Sequence, residues 1–367
     1  MRYFRLINLF CAATCAAWLA PQRSSAESAP LVLTPSVLGA DAPARQPVAA
    51  PTAPPDDSSL LPATDLQATD GKSMERPIYD CACGCGIFEV GTGTMLPQGK
   101  GGMVYLEYDY QNQNINWSGV RPAPGSANDD KEIRTNFVTL GVQYFFNRSW
   151  GIQAELPYDN RSFKTTGGAS GNDIVTLQWG ALGDLRLQAI YAGFFEDQSL
   201  GVSFGVKAPT GNFKHNNQYG DADRDSELGT GCTDLLAGGF FRHQFTQSLT
   251  GFAQVLVDAP LNQVQGYRPG LEADGAVGVY FTGLKSGRVS ITPIGQVLAS
   301  ERGHDSGINA AHPIASGYQR LLLSPGLEID IHPVMLYADI EAPVWQHFSG
   351  DQLTAGILFK FIAAYRF

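Results

Sequence analysis

The chain has 367 residues, enough for one large domain or two ordinary ones, and only 16% of them are charged. Glycine is abundant, and aromatic residues reach 11%, a composition that suits a membrane barrel better than a soluble enzyme of this length. The formal net charge of -10 disfavours a nucleic-acid partner. Outside the N-terminus no run of eighteen apolar residues predicts a transmembrane helix.

The N-terminal segment 1–26 has the order of a cleaved secretory signal peptide. Arg2 and Arg5 precede the apolar run 6–20, and small residues lead to Ala26. Its removal changes the formal charge from -10 to -13, because the segment contains three arginines and no acid. We therefore expect a secreted, acidic protein that meets divalent cations or cationic solutes.

Residues 27–80 are rich in proline and alanine and contain almost no aromatic residues. Such a composition cannot bury enough apolar surface to fold, and proline favours an extended coil. We expect a disordered periplasmic linker, which acts either as a passive spacer or as a tether to a periplasmic partner.

Segment 81–101 contains the sharpest local motif, Cys81, Cys83 and Cys85, and we expect it to cap or partly plug the barrel that follows. Thiolates at this spacing can converge on one soft metal ion such as Cu or Zn. An oxidising periplasm favours a disulfide instead, with Cys81 and Cys85 as the less strained pair. Attachment of another group is a third option. A bridge to Cys232 would require the segment to thread the lumen.

Over residues 102–367 apolar and polar side chains alternate with period two, the pattern of strands with two different faces. In the first strand Val104 and Leu106 fall on one side, and Glu107 and Asp109 fall on the other. We predict an all-β fold, a transmembrane antiparallel β-barrel of about twelve strands. The predicted strands are 102–112, 135–146, 150–156, 184–191, 200–207, 233–242, 249–258, 274–282, 288–298, 320–331, 334–342 and the closing strand.

The connections between these strands alternate between short and long, as do the periplasmic turns and external loops of bacterial barrels. Residues 147–149 and 332–333 form short connections, whereas 114–131 and 347–352 are predicted as long external loops. An even number of strands follows, with both ends on the periplasmic side. Residues 174–179 either extend the fourth strand or belong to its loop. A soluble all-β sandwich does not explain the asymmetry.

The closing strand, residues 353–367, ends the chain on an aromatic residue. Its final Phe367 lies on the apolar face, which resembles the C-terminal recognition strand of bacterial outer-membrane barrels. This feature predicts a location in the outer membrane of a Gram-negative cell. The predicted apolar face comprises Ala355, Ile357, Phe359, Phe361, Ala363, Tyr365 and Phe367.

Several short motifs recur in order along residues 96–367. They are Leu96–Gly99, Leu156–Tyr158, Gly183–Leu185, Lys207–Gly211, Gly229–Gly231 with Asp234, and Gly350–Leu353. This series resembles the outer-membrane transporter family named after the MetA protein of phenol degradation. The resemblance implies an outer-membrane channel or transporter. It implies no particular substrate, and it does not reach the linker or the cysteine motif.

The predicted inward face carries a set of charged residues. Charges at period two inside a barrel either line a pore or pair with each other to fill the lumen. Because acids outnumber bases here, an open lumen would prefer cations. The predicted pore-lining residues are Glu107, Asp109, Glu155, Asp184, Arg186, Lys207, Glu328, Asp339, Glu341 and Lys360.

Two other patterns carry less weight. The acidic stretch 220–227 resembles the start of a calcium loop, but Ser226 replaces the required glycine, so a solvated acidic loop or weak divalent binding is expected. Barrel-borne hydrolases need a serine and a histidine at matching depth, and His243 at a strand end has no such serine. We therefore expect no enzyme.

The sequence thus predicts an outer-membrane channel or transporter that passes a small solute, either a cation or a hydrophobic solute. The alternative is a closed outer-membrane barrel that acts as a metal-binding or structural anchor through the cysteine-rich segment 81–101.

Overall fold

The computed structural model describes residues 100–167, 173–217 and 220–367. The predicted signal peptide, linker and cysteine motif lie outside this part of the chain. Within the described ranges no helix has the length and apolarity needed to cross a membrane. The elements are β1 (Gly101–Gly119), β2 (Arg121–Pro122), the 3-10 turn η1 (Gly125–Ala127), β3 (Asp130–Phe145), β4 (Trp150–Gly167), β5 (Asp173–Leu182), β6 (Leu185–Tyr191), β7 (Leu200–Ala208), β8 (Asn216–Asn217), β9 (Gly220–Asp221), β10 (Asp234–Gln244), β11 (Leu249–Pro260), β12 (Glu272–Phe281), β13 (Leu284–Ser286), β14 (Val289–Arg302), the 3-10 turn η2 (Pro313–Ala315), β15 (Tyr318–Ile331) and β16 (Val334–Arg366).

Eleven of these elements form a closed ring, so the predicted all-β antiparallel barrel is confirmed. The ring runs β1, β3, β4, β6, β7, β10, β11, β12, β14, β15, β16 and returns to β1, with every neighbouring pair antiparallel. A ring of purely antiparallel neighbours needs an even number of strands, so one element must reverse its direction.

The element that reverses is β16, which has 33 residues. Fully extended, it would span roughly 110 Å. Gly350 lies near its middle with φ at 74°, a conformation that favours glycine. The part before Gly350 pairs with β15, and the part after it pairs with β1. Counting these two halves separately, the wall has the predicted twelve strands.

The end of the chain closes the barrel. The Phe367 backbone N–H donates to the Gly102 carbonyl at 2.9 Å, and the Gly102 N–H donates to the Phe367 carbonyl at 2.7 Å. The Phe367 ring covers Gly102, where an added Cβ would lie 2.5 Å from the ring, and stacks on Tyr144 at 6.4 Å between centroids. The glycine therefore provides the space that the terminal aromatic residue occupies.

The outer wall of the barrel is apolar. Leu106, Leu140, Phe359 and Phe361 are each between 44% and 50% exposed, and they alternate with buried neighbours. Because every wall strand has partners on both sides, the barrel has no free edge, and its backbone polar groups are satisfied inside the ring. These are the two requirements for a β structure that spans a bilayer.

The strands extend further towards the long loops than the sequence predicted. β1 continues to Gly119 and β4 to Gly167. Residues 174–179 belong to β5, which pairs with the upper half of β4, while β6 pairs with its lower half. The wall extends here because Ile133, Phe163 and their neighbours bury each other above the membrane-spanning part.

Two predictions about the closing hairpin were wrong. Residues 347–352 do not form a long loop, because the strand pairing continues to Phe348 and resumes at Asp351 around Gly350. Ala355 does not lie on the outer face, because it is fully buried in the interior. The register of β1 and β16 shifts between Gln111 and Gln113, and this bulge turns Ala355 inwards.

Candidate functional site

The interior carries a row of charged residues that stand directly opposite one another on adjacent strands. Glu155 of β4 pairs in register with Arg186 of β6, Arg186 with Lys207 of β7, and Lys207 with Asp234 of β10. The row therefore crosses four neighbouring wall strands along the direction of their interstrand hydrogen bonds. Three of its members were predicted as pore-lining residues.

Lys207 is the centre of a first cluster of ion pairs. Its Nζ lies 2.6 Å from Asp234 Oδ2 and 2.5 Å from Asp258 Oδ2. Arg186 approaches the same Asp258 oxygen at 3.7 Å. Because these four side chains are nearly buried, their charges interact with little screening from solvent. We call this group, with the neighbouring Glu272 and Asp274 that also act on Arg186, the Lys207 cluster.

Lys360 is the centre of a second cluster. Its Nζ lies 3.0 Å from Glu107 Oε1 and 3.2 Å from Asp109 Oδ1. Asp339 and Glu341 also lie near enough to act electrostatically on Lys360. We call these five residues the Lys360 cluster. All five were predicted as pore-lining residues. Lys360 pairs in register with Asp109 of β1, and the Arg366 N–H donates to the Pro333 carbonyl at 2.8 Å, which places the first half of β16, with Asp339 and Glu341, beside the second half.

A small hydrogen-bond network fixes the orientation of Asp339. Its Oδ2 accepts hydrogen bonds from Ser324 Oγ and Tyr337 Oη, both at 2.7 Å, and from Gln296 Nε2 at 3.3 Å. Three donors on one oxygen hold the carboxylate rigidly against the wall formed by β14, β15 and β16. Its other oxygen points away from these donors.

Glu155 is held by hydrogen bonds from side chains of β1 and β4. It accepts hydrogen bonds from Tyr105 Oη at 2.5 Å and from Gln153 Nε2 at 2.8 Å. The Tyr105 side chain reaches Glu155 across β3 because the residue beneath it is Gly141, where an added Cβ would lie 2.0 Å from the ring. The absence of a side chain at Gly141 thus allows the Tyr105 ring to reach the Glu155 carboxylate and fix its position.

Together the two clusters and their links form a belt around the interior. Arg320 connects them, because it acts electrostatically on both Asp274 and Glu341. Among the described residues the belt has nine carboxylates and four bases, a formal excess of five negative charges. We call this set the charged belt: Glu107, Asp109, Glu155, Asp234, Asp258, Glu272, Asp274, Asp339, Glu341, Arg186, Lys207, Arg320 and Lys360.

Two predicted pore-lining residues stand apart from the charged belt. Asp184 lies at the break between β5 and β6, and its carboxylate accepts hydrogen bonds from Gly211 N–H at 2.9 Å and from Thr230 N–H and Oγ1 at 2.8 and 2.9 Å. It anchors the loop between β7 and β10. Glu328 is buried on β15, opposite Thr292 of β14 and Tyr337 of β16.

Sequence reasoning missed Asp258, Glu272, Asp274 and Arg320. These residues lie at the ends of strands, where a charged residue is ordinarily read as part of a polar connection. The period-two pattern contains the missing signal for Asp258, because the buried residues Phe252 and Leu256 precede it on the same face of β11.

An apolar cluster lies beside the charged belt. Two tyrosines connect the apolar cluster to the charged belt. Tyr105 and Tyr337 pack in the cluster, and their hydroxyl groups donate hydrogen bonds to Glu155 and Asp339 of the belt. The interior thus presents a charged surface and an apolar surface next to each other. The cluster consists of Met103, Tyr105, Phe252, Ala276, Tyr280, Ile294, Leu298, Leu322, Met335, Tyr337, Ala355, Leu358, Ile362 and Ala364.

The described residues of the loop between β7 and β10, 209–217 and 220–233, fold inwards over the mouth of the barrel, and we call them the cap loop. Arg161 of β4 donates to the Ser226 carbonyl at 2.6 Å, and Leu228 packs against the buried apolar residues of the extended wall. Arg224 lies over the rings of Phe213 and Tyr267, at 4.6 and 5.3 Å. These contacts tie the cap loop to the wall and to the next loop.

Three of the sequence motifs meet at the base of the cap loop. Asp184 of the Gly183–Leu185 motif binds the backbone of Gly211 and Thr230, which belong to two other motifs. A Cβ on Gly229 would lie 2.6 Å from the carbonyl carbon of Gly211, so the two backbones approach as closely as glycine allows. The motif residues thus form one loop anchor.

The structure gives a partial view of the predicted metal sites. Within the described ranges no group of three or more histidine, cysteine, aspartate or glutamate side chains has an arrangement that could hold a metal ion. Cys81, Cys83 and Cys85, predicted to bind Cu or Zn, lie outside these ranges. Cys232 is fully buried at the base of the cap loop, and burial, with the nearby charge of Asp234, raises the pKa of its thiol.

Comparison with solved structures shows the same fold in a bacterial outer-membrane channel, whereas the sequence matches no protein family and no curated protein. An outer-membrane channel of Pseudomonas putida F1 is similar with a TM-score of 0.58 and 11% identity, over 76% of this chain and 100% of that one. A FadL homologue of Pseudomonas aeruginosa gives a TM-score of 0.38 and 10% identity, over 72% and 90%. With its closed ring and apolar outer wall, the protein is an outer-membrane β-barrel.

Proposed function

We propose that this protein is an outer-membrane channel that passes a small solute and prefers cations. The observation that carries the proposal is the charged belt, which surrounds the interior and has nine carboxylates against four bases. Fixed charges of one sign inside a pore attract ions of the opposite sign and repel the others. The proposal assigns transport to the chain and no catalytic step.

Passage through the charged belt requires its ion pairs to exchange partners. Lys360 is 5% exposed, Arg320 is 1% exposed and Asp234 is fully buried. Lys207 and Lys360 each pair with two acids, so a solute cation that enters can take one of these carboxylates while the lysine keeps the other. The channel of this proposal is therefore gated by the solute and by the cap loop above it.

Two further observations support transport of a small solute. The motif series of residues 96–367 resembles the phenol-degradation MetA-like transporter family, and the fold likeness to a bacterial outer-membrane channel agrees with that resemblance. The apolar cluster beside the belt also fits a solute with an apolar part. Neither observation selects a particular compound.

The alternative function is a closed barrel that serves as an anchor. The near-complete burial of the charged belt favours it, because paired charges can fill a lumen as well as line it. In that case the functional part would be the cysteine motif, holding a soft metal ion, and the linker 27–80, binding a periplasmic partner.

Conductance of the purified protein in a planar bilayer separates the two functions. In symmetrical KCl, the channel gives discrete current steps that become more frequent in an Asp184→Ala variant, whose cap loop is released. A protein that migrates as a folded barrel on an unheated gel and yet gives no current steps in either form supports the anchor.

A further inference from the structure

We propose that the Lys360 cluster is a binding site for the primary ammonium group of a small organic amine, and that Lys360 itself occupies this site in the structure. The inference rests on the proposed function, because it names the class of cationic solute that the charged belt would hold. It assigns a ligand chemistry to one place in the interior.

The geometry around Lys360 is that of a bound ammonium ion. The Nζ atom donates a hydrogen bond to Glu107 Oε1 at 3.0 Å and forms an ion pair with Asp109 Oδ1 at 3.2 Å. Lys360 is 5% exposed, and both carboxylates are largely buried. An ammonium group has three N–H donors and no acceptor, so it can serve several carboxylates at once.

The site has more acceptor capacity than Lys360 uses. Glu341 is only 3% exposed and acts electrostatically on Lys360. Among the described residues, the Oδ2 atom of Asp109 and the Oδ1 atom of Asp339 are buried and accept no hydrogen bond. These two oxygens are acceptors for a further donor.

The charge of the site also calls for a cation. Four carboxylates surround one ammonium group, a formal excess of three negative charges, and buried charge without compensation is costly. Arg320 also acts on Glu341, but it acts on Asp274 of the Lys207 cluster as well. A second cation with N–H donors would supply both the charge and the hydrogen bonds.

The donor set distinguishes an amine from a metal ion. The carboxylates do not converge as metal ligands in the described structure, and one oxygen of Asp339 is already taken by Ser324, Tyr337 and Gln296. The contacts of Lys360 with Glu107 and Asp109 instead show that the site accepts an N–H donor. Lys360 thus shows the kind of group that the site accepts.

The surroundings of the site define the rest of the ligand. Leu358 and Ile362 flank Lys360 on the inward face of β16, and Tyr105 and Tyr337 neighbour the carboxylates on β1 and β16. These residues belong to the apolar cluster, so a ligand that places its ammonium group on the carboxylates meets apolar side chains with its body. An alkylamine or arylamine has this chemistry.

The Lys207 cluster is a less suitable site. Its two bases, Arg186 and Lys207, converge on Asp258, and Lys207 also holds Asp234 at 2.6 Å. Removal of one base there leaves the other to serve the shared carboxylate. In the Lys360 cluster, Glu107 and Asp109 both pair with Lys360, so its removal takes the ion-pair partner from two carboxylates at once.

The test is titration of the folded, detergent-solubilised protein with benzylammonium chloride, followed by calorimetry. In Lys360→Met the tethered ammonium group is absent, and we expect benzylammonium to bind on the order of tenfold more tightly than to the wild type, because it no longer competes with an intramolecular ligand. Lys164→Met is the matched control, since Lys164 pairs with Glu132 in the extended wall. The affinity of Lys164→Met for benzylammonium should equal that of the wild type.

Tetramethylammonium, which has the same charge and no N–H donor, is the second probe. Weaker binding of this ion than of benzylammonium to Lys360→Met supports the proposal. Equal affinity for the two ions, tighter binding of Mg²⁺, or an unchanged benzylammonium affinity in Lys360→Met overturns it.

If Lys360→Met does not fold, as judged by mobility on an unheated gel, Glu341→Gln replaces it. This variant keeps the shape of the side chain and should weaken benzylammonium binding to the folded protein; unchanged binding overturns the proposal. Calorimetry needs no current, so a protein that binds the amine without conducting contradicts the proposed channel and leaves the amine site standing. A cation-selective channel that does not bind the amine contradicts the amine site and leaves the proposed channel standing.

Discussion

Replacement of Asp184 by alanine should release the cap loop. The change removes three hydrogen bonds, to Gly211 N–H, Thr230 N–H and Thr230 Oγ1, all between 2.8 and 2.9 Å. Hydrogen bonds to a charged group contribute about 1.5–3 kcal/mol each, and the freed groups regain part of this through hydration. We therefore expect the loop anchor to lose about 3 kcal/mol, which raises the open fraction of the loop on the order of 100-fold.

Limited proteolysis measures this opening, because Arg224 and Lys214 lie in the cap loop and trypsin needs an unfolded segment. At low trypsin concentration the cleavage rate follows the open population, so cleavage at these two residues should accelerate by a similar factor in Asp184→Ala. Asp197→Ala is the control, since Asp197 is a turn residue that accepts a hydrogen bond from Ser199 N–H. Equal cleavage of the wild type and both variants would refute the loop-anchor assignment.

Three further changes test the packing. Gly141→Leu should lower the midpoint temperature of the heat-induced gel shift, because the added side chain overlaps the Tyr105 ring and overpacking costs about 1–3 kcal/mol. Phe367→Ala should reduce the amount of barrel in the outer-membrane fraction, since the terminal ring packs at the closing seam. The Cys232 peptide should be alkylated by iodoacetamide at least on the order of tenfold more slowly in the folded protein than in urea, because the thiol is buried and its pKa is raised.

Each of these has its own control. Gly295→Leu places a side chain where no atom lies within 4 Å, so it should leave the transition temperature unchanged, and an equal loss in both glycine variants would contradict the packing argument. Phe204→Ala removes an outer-wall ring on β7, away from the seam, and should reduce insertion less than Phe367→Ala. Rapid alkylation of Cys232 in the folded barrel would show that the base of the cap loop is open.

The barrel could be predicted from the sequence because the side chains of a strand alternate between lipid and the barrel interior, and this alternation is visible in the residue types. Val104 and Leu106 alternate with Glu107 and Asp109, and this pattern fits a strand only when the apolar residues face lipid and the acidic residues face the interior. The terminal Phe367 fixed the place of closure in the same way. Strand ends were less predictable, because a strand that continues beyond the membrane no longer needs an apolar outer face. The extensions of β1 and β4 also depend on contacts with residues distant in sequence.

The interior could be predicted in part. Lys360, Asp109 and Glu341 were placed on the inward face by parity alone, but parity does not show which acids share one base. That information lies in the register between strands, and a single bulge can reverse it, as Ala355 shows. Asp184 follows the inward parity as well, yet its carboxylate binds loop backbone, a role that depends on the fold of the cap loop.

The reversal potential in a tenfold KCl gradient tests most directly whether the charged belt controls passage. The account predicts that the wild-type channel reverses on the cation side, towards the limit of about 59 mV for a monovalent ion. The Asp274→Asn and Glu341→Gln double variant should move this potential towards zero, while the turn variant Glu196→Gln should not. A reversal potential near zero or on the anion side in the wild type would contradict the account.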